Sequence, residues 1–206
     1  MRIIETDADV AEGAAWLAAH DPRLADALAQ TGPLPLRRRP DGFAQLLNAI
    51  VSQQVSVASA AAIWTRMQEA GLTDEAAVLA AGDDGLRAAG LSRQKIAYAQ
   101  ALAEAQIDYM ALRDADDATV ITTLTAVKGI GVWTAEIYAM FSLGRTDVFA
   151  PGDLALQVAA QELYGLAERP KEKELRALSL GWSPWRSVAA RLLFAYYHIA
   201  KGREGI

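Results

Sequence analysis

The sequence predicts an all-α protein, and three observations carry that expectation. Roughly a fifth of the chain is alanine, the strongest helix former. Helix start signals recur every ten to twenty residues or so, and alternating strand patterns are scarce.

Each element has a local cause. Asp21 before Pro22 sets a capping carboxylate in front of a first-turn proline and opens a helix toward Gln30. Thr31-Gly32-Pro33-Leu34-Pro35 breaks it, and Arg37-Arg38-Arg39-Pro40 keeps the chain extended as a linker. Phe43, Leu46, Leu47, Ile50 and Val51 recur at helical spacing and predict a buried stripe. Gln53-Gln54-Val55 turns the chain before Ser56, which caps a helix that Gly71 ends. Further helices are expected to start near Thr73, near Ser92 and near Asp116-Asp117. Val127-Lys128-Gly129-Ile130-Gly131 then joins that last helix to one running from about Val132 to Ser142. Pro151-Gly152-Asp153 starts another, which Gly165 stops. A charged helix follows Pro170, and after Gly181-Trp182-Ser183-Pro184-Trp185-Arg186 a long apolar one reaches about Ala200, with residues 201–206 expected to fray.

Composition excludes several chemistries. Without cysteine there is no disulfide framework, thiolate metal site, iron–sulfur cluster or cysteine nucleophile. His20 and His198 lack metal-ligand spacing. No apolar run approaches the roughly 20 residues of a membrane span, and the start MRIIETDADV lacks a secretory layout, so a cytoplasmic protein is expected. The balance of 20 basic and 25 acidic residues, net −5, taken alone argues against a polyanion partner.

Two motifs point the other way. A Gly-x-Gly turn between helices offers several backbone N–H groups at one helix N-terminus, which suits a phosphate; an ordinary tight helix–helix turn is the alternative. Asp153 reads locally as a helix N-cap. The helix after the turn is ~15 Å long and the return from Leu143 to Gly152 can extend ~30 Å, enough to bring Asp153 back beside the Gly-x-Gly turn.

With these residues the chain resembles the helix-hairpin-helix GPD superfamily of base-excision DNA glycosylases, in its 3-methyladenine DNA glycosylase II type. The matching stretches are 124–135, 147–153, Trp182 to Ser187, and Ile50 to Ser56 upstream. The resemblance implies that Asp153 is the catalytic carboxylate. Cleaving an N-glycosidic bond builds oxocarbenium character that a carboxylate stabilises, and a methylated purine already carries the charge that lets it leave without an acid. Strand-nicking members place a lysine where this chain has Trp133, so hydrolysis without lyase activity is expected.

The resemblance also assigns the base pocket to Trp133 and Trp185, core packing being the alternative for both, and to Tyr138, one position after the family's usual tyrosine, where this chain has Ile137. It places Gln53 and Gln54 in the loop that wedges into the gap left by the flipped base, with Gln54 as the wedge and an exposed turn as the alternative. DNA contacts are expected from Gly129, Gly131, Ser56, Thr134 and Arg186, and from Lys128, Arg93 and Lys95, for which a solvated helix or turn position is the alternative. The carbonyls of Thr125, Val127 and Ile130 match those that hold a structural Na+ or K+; no cofactor is expected to be required.

The expected architecture is two-lobed, with a barrel over 41–133, a second lobe from 1–40 plus 134–206, and a DNA-binding cleft between the lobes. Only about forty residues precede Asp41, too few for the extra N-terminal β-domain of larger members, so a compact form is expected. The expected partner is double-stranded DNA with alkylated bases, met by a monomer that works at the bacterial nucleoid and on no membrane. Two rivals remain: a bifunctional oxidised-base glycosylase/lyase, and a non-catalytic binder of DNA structure.

Overall fold

The computed structural model describes residues 2–202, so most of the tail expected to fray lies outside the described residues. Twelve α-helices follow in order: α1 (Asp7–His20), α2 (Pro22–Thr31), α3 (Phe43–Ser52), α4 (Val57–Glu69), α5 (Glu75–Ala88), α6 (Arg93–Glu104), α7 (Tyr109–Asp114), α8 (Asp117–Thr125), α9 (Val132–Phe141), α10 (Leu154–Tyr164), α11 (Glu172–Leu178) and α12 (Arg186–Lys201), with a 3-10 turn at Ser179–Trp182. The one extended pairing among the described residues is an isolated bridge between Ile3 and Arg145. The fold is all-α, as the composition and start signals indicate.

Capping explains most of the boundaries. Asp21, Ser56, Asp74, Ser92, Asp116 and Asp153 each accept a backbone N–H of the helix they precede. Two helices have quieter signals. α1 starts at a capping box in which Thr6 and Asp9 serve each other, and α7 is six residues long behind Asp108. Within α5, Gly82 takes a left-handed φ of 57° and kinks the helix, a conformation that costs glycine little.

The chain divides into two compact units, one built from Met1–Arg38 and Ala139–Ile206, the other from Arg39–Tyr138. The second crossover falls inside α9, between Tyr138 and Ala139, whereas sequence alone set it at 133/134, where the hairpin ends.

In the Arg39–Tyr138 unit the predicted α3 stripe, Phe43 to Val51, is buried and packs against α4 and α6. Arg113 grips Asp41 through two bonds, Nε to Oδ2 at 2.6 Å and Nη2 to Oδ1 at 2.9 Å, which anchors the entry to α3. The Tyr138 hydroxyl accepts the Gly42 N–H at 2.8 Å, and burial pushes its pKa up to about 12.

In the other unit α12 is the central element, packing against α1, α2 and α10. Gly13 on α1 lets the Trp185 ring approach; a Cβ there would lie 2.6 Å from it. Arg191 is fully buried on α12, and burial, with Arg37 and Arg38 nearby, pushes its pKa down to about 10. What compensates is a set of carbonyls: Nε and Nη2 donate to Leu36 O at 3.1 and 3.0 Å, and Nη1 to Ser187 O at 2.9 Å. The basic run before α3 is therefore anchored rather than merely extended. Arg38 donates to Ser142 O at 2.7 Å, and Arg37 lies over the Phe194 ring.

The Tyr138 bond yields a test with a defined sign. The unfolded tyrosine loses its proton near 10 and the folded one near 12, so its stabilising contribution is complete below pH 10 and is lost as the pH rises toward 12. Tyr138→Phe is expected to cost about 1–2 kcal/mol at neutral pH through the unpaired Gly42 N–H. It is also expected to flatten part of the alkaline decline, read from urea unfolding below and above pH 10.

Candidate active site

Asp153 stands at the N-terminus of α10, and the preceding chain is locked in place for it. Arg186 forks onto Asp147, with Nε 2.8 Å from Oδ1 and Nη2 3.0 Å from Oδ2, and Ser183 Oγ donates to the same carboxylate at 2.8 Å. Ser187 holds the same loop from the first turn of α12, its N–H donating to Thr146 O at 2.9 Å and its Oγ to Val148 O at 2.8 Å. The turn itself closes through Asp153 N–H to Ala150 O at 3.0 Å and Gln157 Nε2 to Pro151 O at 2.8 Å. The Arg186 guanidinium, expected on DNA, forms a bidentate ion pair inside its own unit. Gln157 went unnoticed in the sequence, although its spacing of four from Asp153 on a helix was a usable signal.

The local reading of Asp153 holds. Oδ1 accepts the N–H groups of Ala155 at 2.9 Å and Leu156 at 3.3 Å, so the residue is a true N-cap. The capping atom is Oδ1, on a half-buried carboxylate.

The hairpin lies in the other unit. α8 ends at Thr125, and the turn is tied by Val127 N–H to Leu124 O and Ile130 N–H to Val127 O, both at 3.1 Å. The two glycines have different causes. Gly129 has φ +98° and lies against the Tyr98 ring, where a Cβ would fall 2.3 Å from a ring carbon. Gly131 has no such neighbour: a Cβ there meets nothing within 4 Å. Gly131 therefore leaves open space just before the first turn of α9. Lys128 is exposed beside it. Thr134 differs from its expected role at the DNA surface: its side chain is buried.

The loop after α3 approaches the hairpin within the same unit, since Gln53 Nε2 donates to Gly129 O at 2.9 Å. Gln53 is in this way an internal tie rather than a free contact. Gln54 follows, exposed and held at φ +55°, an uncommon left-handed conformation for a non-glycine residue. Ser56 is exposed and engaged as the α4 cap, accepting from Ser59 N–H at 3.2 Å. Arg93 is exposed at the start of α6. Lys95 departs from its expected place at the surface. It is buried, its Nζ donates to Val51 O at 2.6 Å, and desolvation lowers its pKa, so it does not reach the surface to meet a phosphate.

The aromatic candidates separate by exposure. Trp133, in the first turn of α9, is 46% exposed. Trp185 and Tyr138 are each 3% exposed. Trp185 packs against Gly13 on α1, with the Arg2 guanidinium 4.4 Å from its ring centroid, so the core alternative describes it. Tyr138 is spent on Gly42. No cluster of three or more histidine, aspartate or glutamate side chains that could hold a metal occurs among the described residues.

An all-helical two-unit chain with a Gly-x-Gly helix hairpin and a capped aspartate after Pro-Gly defines a protein of the helix-hairpin-helix class. The comparisons give the family. Residues 47–184 match the model of the HhH-GPD superfamily of base excision DNA repair proteins, and the chain belongs to that superfamily. It is 25% identical over 200 residues to the alkylbase DNA glycosidase-like protein mag2 of Schizosaccharomyces pombe, covering 91% of this chain and 94% of mag2. The crystal structure of a DNA-3-methyladenine glycosidase from Bacillus halodurans is similar with a TM-score of 0.82 and 35% identity, covering 100% of this chain and 97% of that one. The Schizosaccharomyces pombe 3-methyladenine DNA glycosylase Mag1, solved with abasic DNA, is similar with a TM-score of 0.78 and 25% identity, over 92% and 97% of the two chains.

The contrast between the hairpin glycines is measurable. Gly129→Ala is expected to lower stability by about 1–3 kcal/mol, through both positive φ and the Tyr98 ring. Gly131→Ala is expected to stay within about 0.5 kcal/mol of the parent in denaturant melts.

Proposed function

We propose that this protein is a monofunctional DNA glycosylase that hydrolyses the N-glycosidic bond of alkylated purines in duplex DNA, of the 3-methyladenine and 7-methylguanine kind, and leaves an abasic site. The observation that carries the reading is Asp153: a carboxylate fixed by a helix start on one oxygen, at the end of a loop locked by Asp147 and Ser187. Such fixation suits electrostatic work, because a preorganised anion stabilises oxocarbenium charge on the sugar without reorganising while water attacks C1′. A methylated purine is cationic and departs as a neutral base, so one carboxylate is sufficient. The names of Mag1 and of the Bacillus halodurans glycosidase support this substrate class.

The remaining roles follow from exposure. Gly129 shapes the hairpin and Gly131 admits a phosphate to the amides of α9, with Lys128 alongside and Arg93 on α6 as a further backbone contact. Trp133 offers an exposed ring face to the cationic base. It also occupies the position at which a lyase would carry an amine, which disfavours the oxidised-base alternative. Gln54 fills the gap left by the flipped nucleotide. The carbonyls of Thr125, Val127 and Ile130 are the candidate ligands of a Na+ or K+ ion that would stiffen the hairpin. Val127 O already accepts the Ile130 N–H, and a carbonyl has a second lone pair for an ion. The protein acts as a monomer on DNA.

Asp153→Asn separates catalysis from capping. Asparagine caps as well as aspartate, so stability is expected to change little while base release from methylated DNA falls by roughly 100-fold or more. Near-parental release by this variant would overturn the mechanism, and a borohydride-trapped strand nick would favour the lyase instead. Binding should rest on few ion pairs, so the log–log salt slope is expected to be shallow, about −3 to −4. A slope near −8 would reveal a basic face that the described surface does not show.

A further inference from the structure

Lys95 and Gln53 have no assigned part in the chemistry, yet each spends its polar end on a backbone carbonyl bordering the turn that carries Gln54. Val51 O lies in the last turn of α3, where helix geometry supplies no N–H, and the buried Lys95 ammonium fills that need at 2.6 Å. Two residues on, Gln53 Nε2 reaches across to Gly129 O at 2.9 Å and ties the turn to the hairpin. Between these anchors and the Ser56 cap sits Gln54, exposed at φ +55°. A non-glycine residue held there costs on the order of 1 kcal/mol, and such a conformation persists where the surroundings over-determine it.

We propose that Lys95 and Gln53 are positioning residues that form a two-point clamp, presetting the left-handed Gln54 turn so that its side chain enters the duplex without an ordering step at the moment of base extrusion. The inference rests on the reading of Gln54 as the wedge. A turn that had to order itself on DNA would lose part of its contact energy to that ordering, and a turn fixed in advance does not. The ammonium is suited to the Val51 end because a charge-assisted bond in a buried place is strong and short. The amide is suited to the Gly129 end because it joins wedge and phosphate clamp into one rigid piece.

The test uses the full chain carrying Asp153→Asn, so that the lesion duplex stays intact, and a duplex with 2-aminopurine beside the lesion, whose fluorescence rises when the neighbouring base is extruded. Lys95→Met and Gln53→Leu are each expected to lower the extrusion signal at saturating protein by roughly tenfold, and to leave affinity for a duplex holding a stable abasic analogue within twofold. Lys95→Arg, which keeps a donor, is expected to restore most of the signal. In a Gln54→Ala background both clamp substitutions should add nothing, because they act through Gln54. If Gln54→Ala abolishes extrusion while Lys95→Met and Gln53→Leu leave it intact, the clamp is overturned and the wedge stands. Where Gln54→Ala itself leaves extrusion unchanged, the wedge reading fails and the clamp with it. Should Lys95→Met not fold, Gln53→Leu alone decides between these outcomes.

Discussion

An α-helix leaves its first four N–H and last four C=O groups without partners inside the helix, and the twelve α-helices among the described residues have to satisfy many of them. In this protein some of the groups that meet the need belong to the proposed site. Asp153 caps α10 and is the proposed catalytic carboxylate. Lys95 answers the C-terminal end of α3 and so fixes the turn that follows. Gly131, just before the first turn of α9, borders open space and is the proposed point of phosphate approach. Local structure and the proposed function share these residues because a fixed helix end is both a stable terminus and a preorganised site.

The same economy accounts for the cations. Of the basic residues that a DNA partner would draw attention to, Arg186 forks onto Asp147, Lys95 bonds Val51, and Arg38 and Arg191 bond carbonyls within their own unit. Each of these charges is neutralised or hydrogen-bonded internally, which an isolated buried cation would need in order to be tolerated. Lys128 and Arg93 remain at the surface. A net charge of −5 is compatible with a DNA-repair fold because the proposed contact relies on amides, which carry no formal charge.

The Trp-Ser-Pro-Trp-Arg block shows how a motif can mark a family for structural reasons. Trp182 packs edge-on to Phe149, Ser183 and Arg186 hold Asp147, and Trp185 fills the space that Gly13 leaves on α1. Together these fasten the loop that ends at Asp153. The motif holds still the turn that carries the proposed catalytic carboxylate.

Helix identity, the α3 stripe, the caps at Asp21, Ser56, Ser92 and Asp153, and the hairpin glycines were legible in the sequence, because each depends on neighbours within about four residues. α7, six residues long, lay below what periodicity can resolve. The roles of Lys95, Arg186, Trp185 and Tyr138 were not legible, since their partners Val51, Asp147, Gly13 and Gly42 lie between 39 and 172 residues away. The sequence by itself determined which residue types stand at which helix ends, and through them the family and its aspartate. Only the tertiary structure decided which of the candidate side chains meet solvent and which are consumed in holding the site, because burial and hydrogen bonding are settled by contacts distant in the chain.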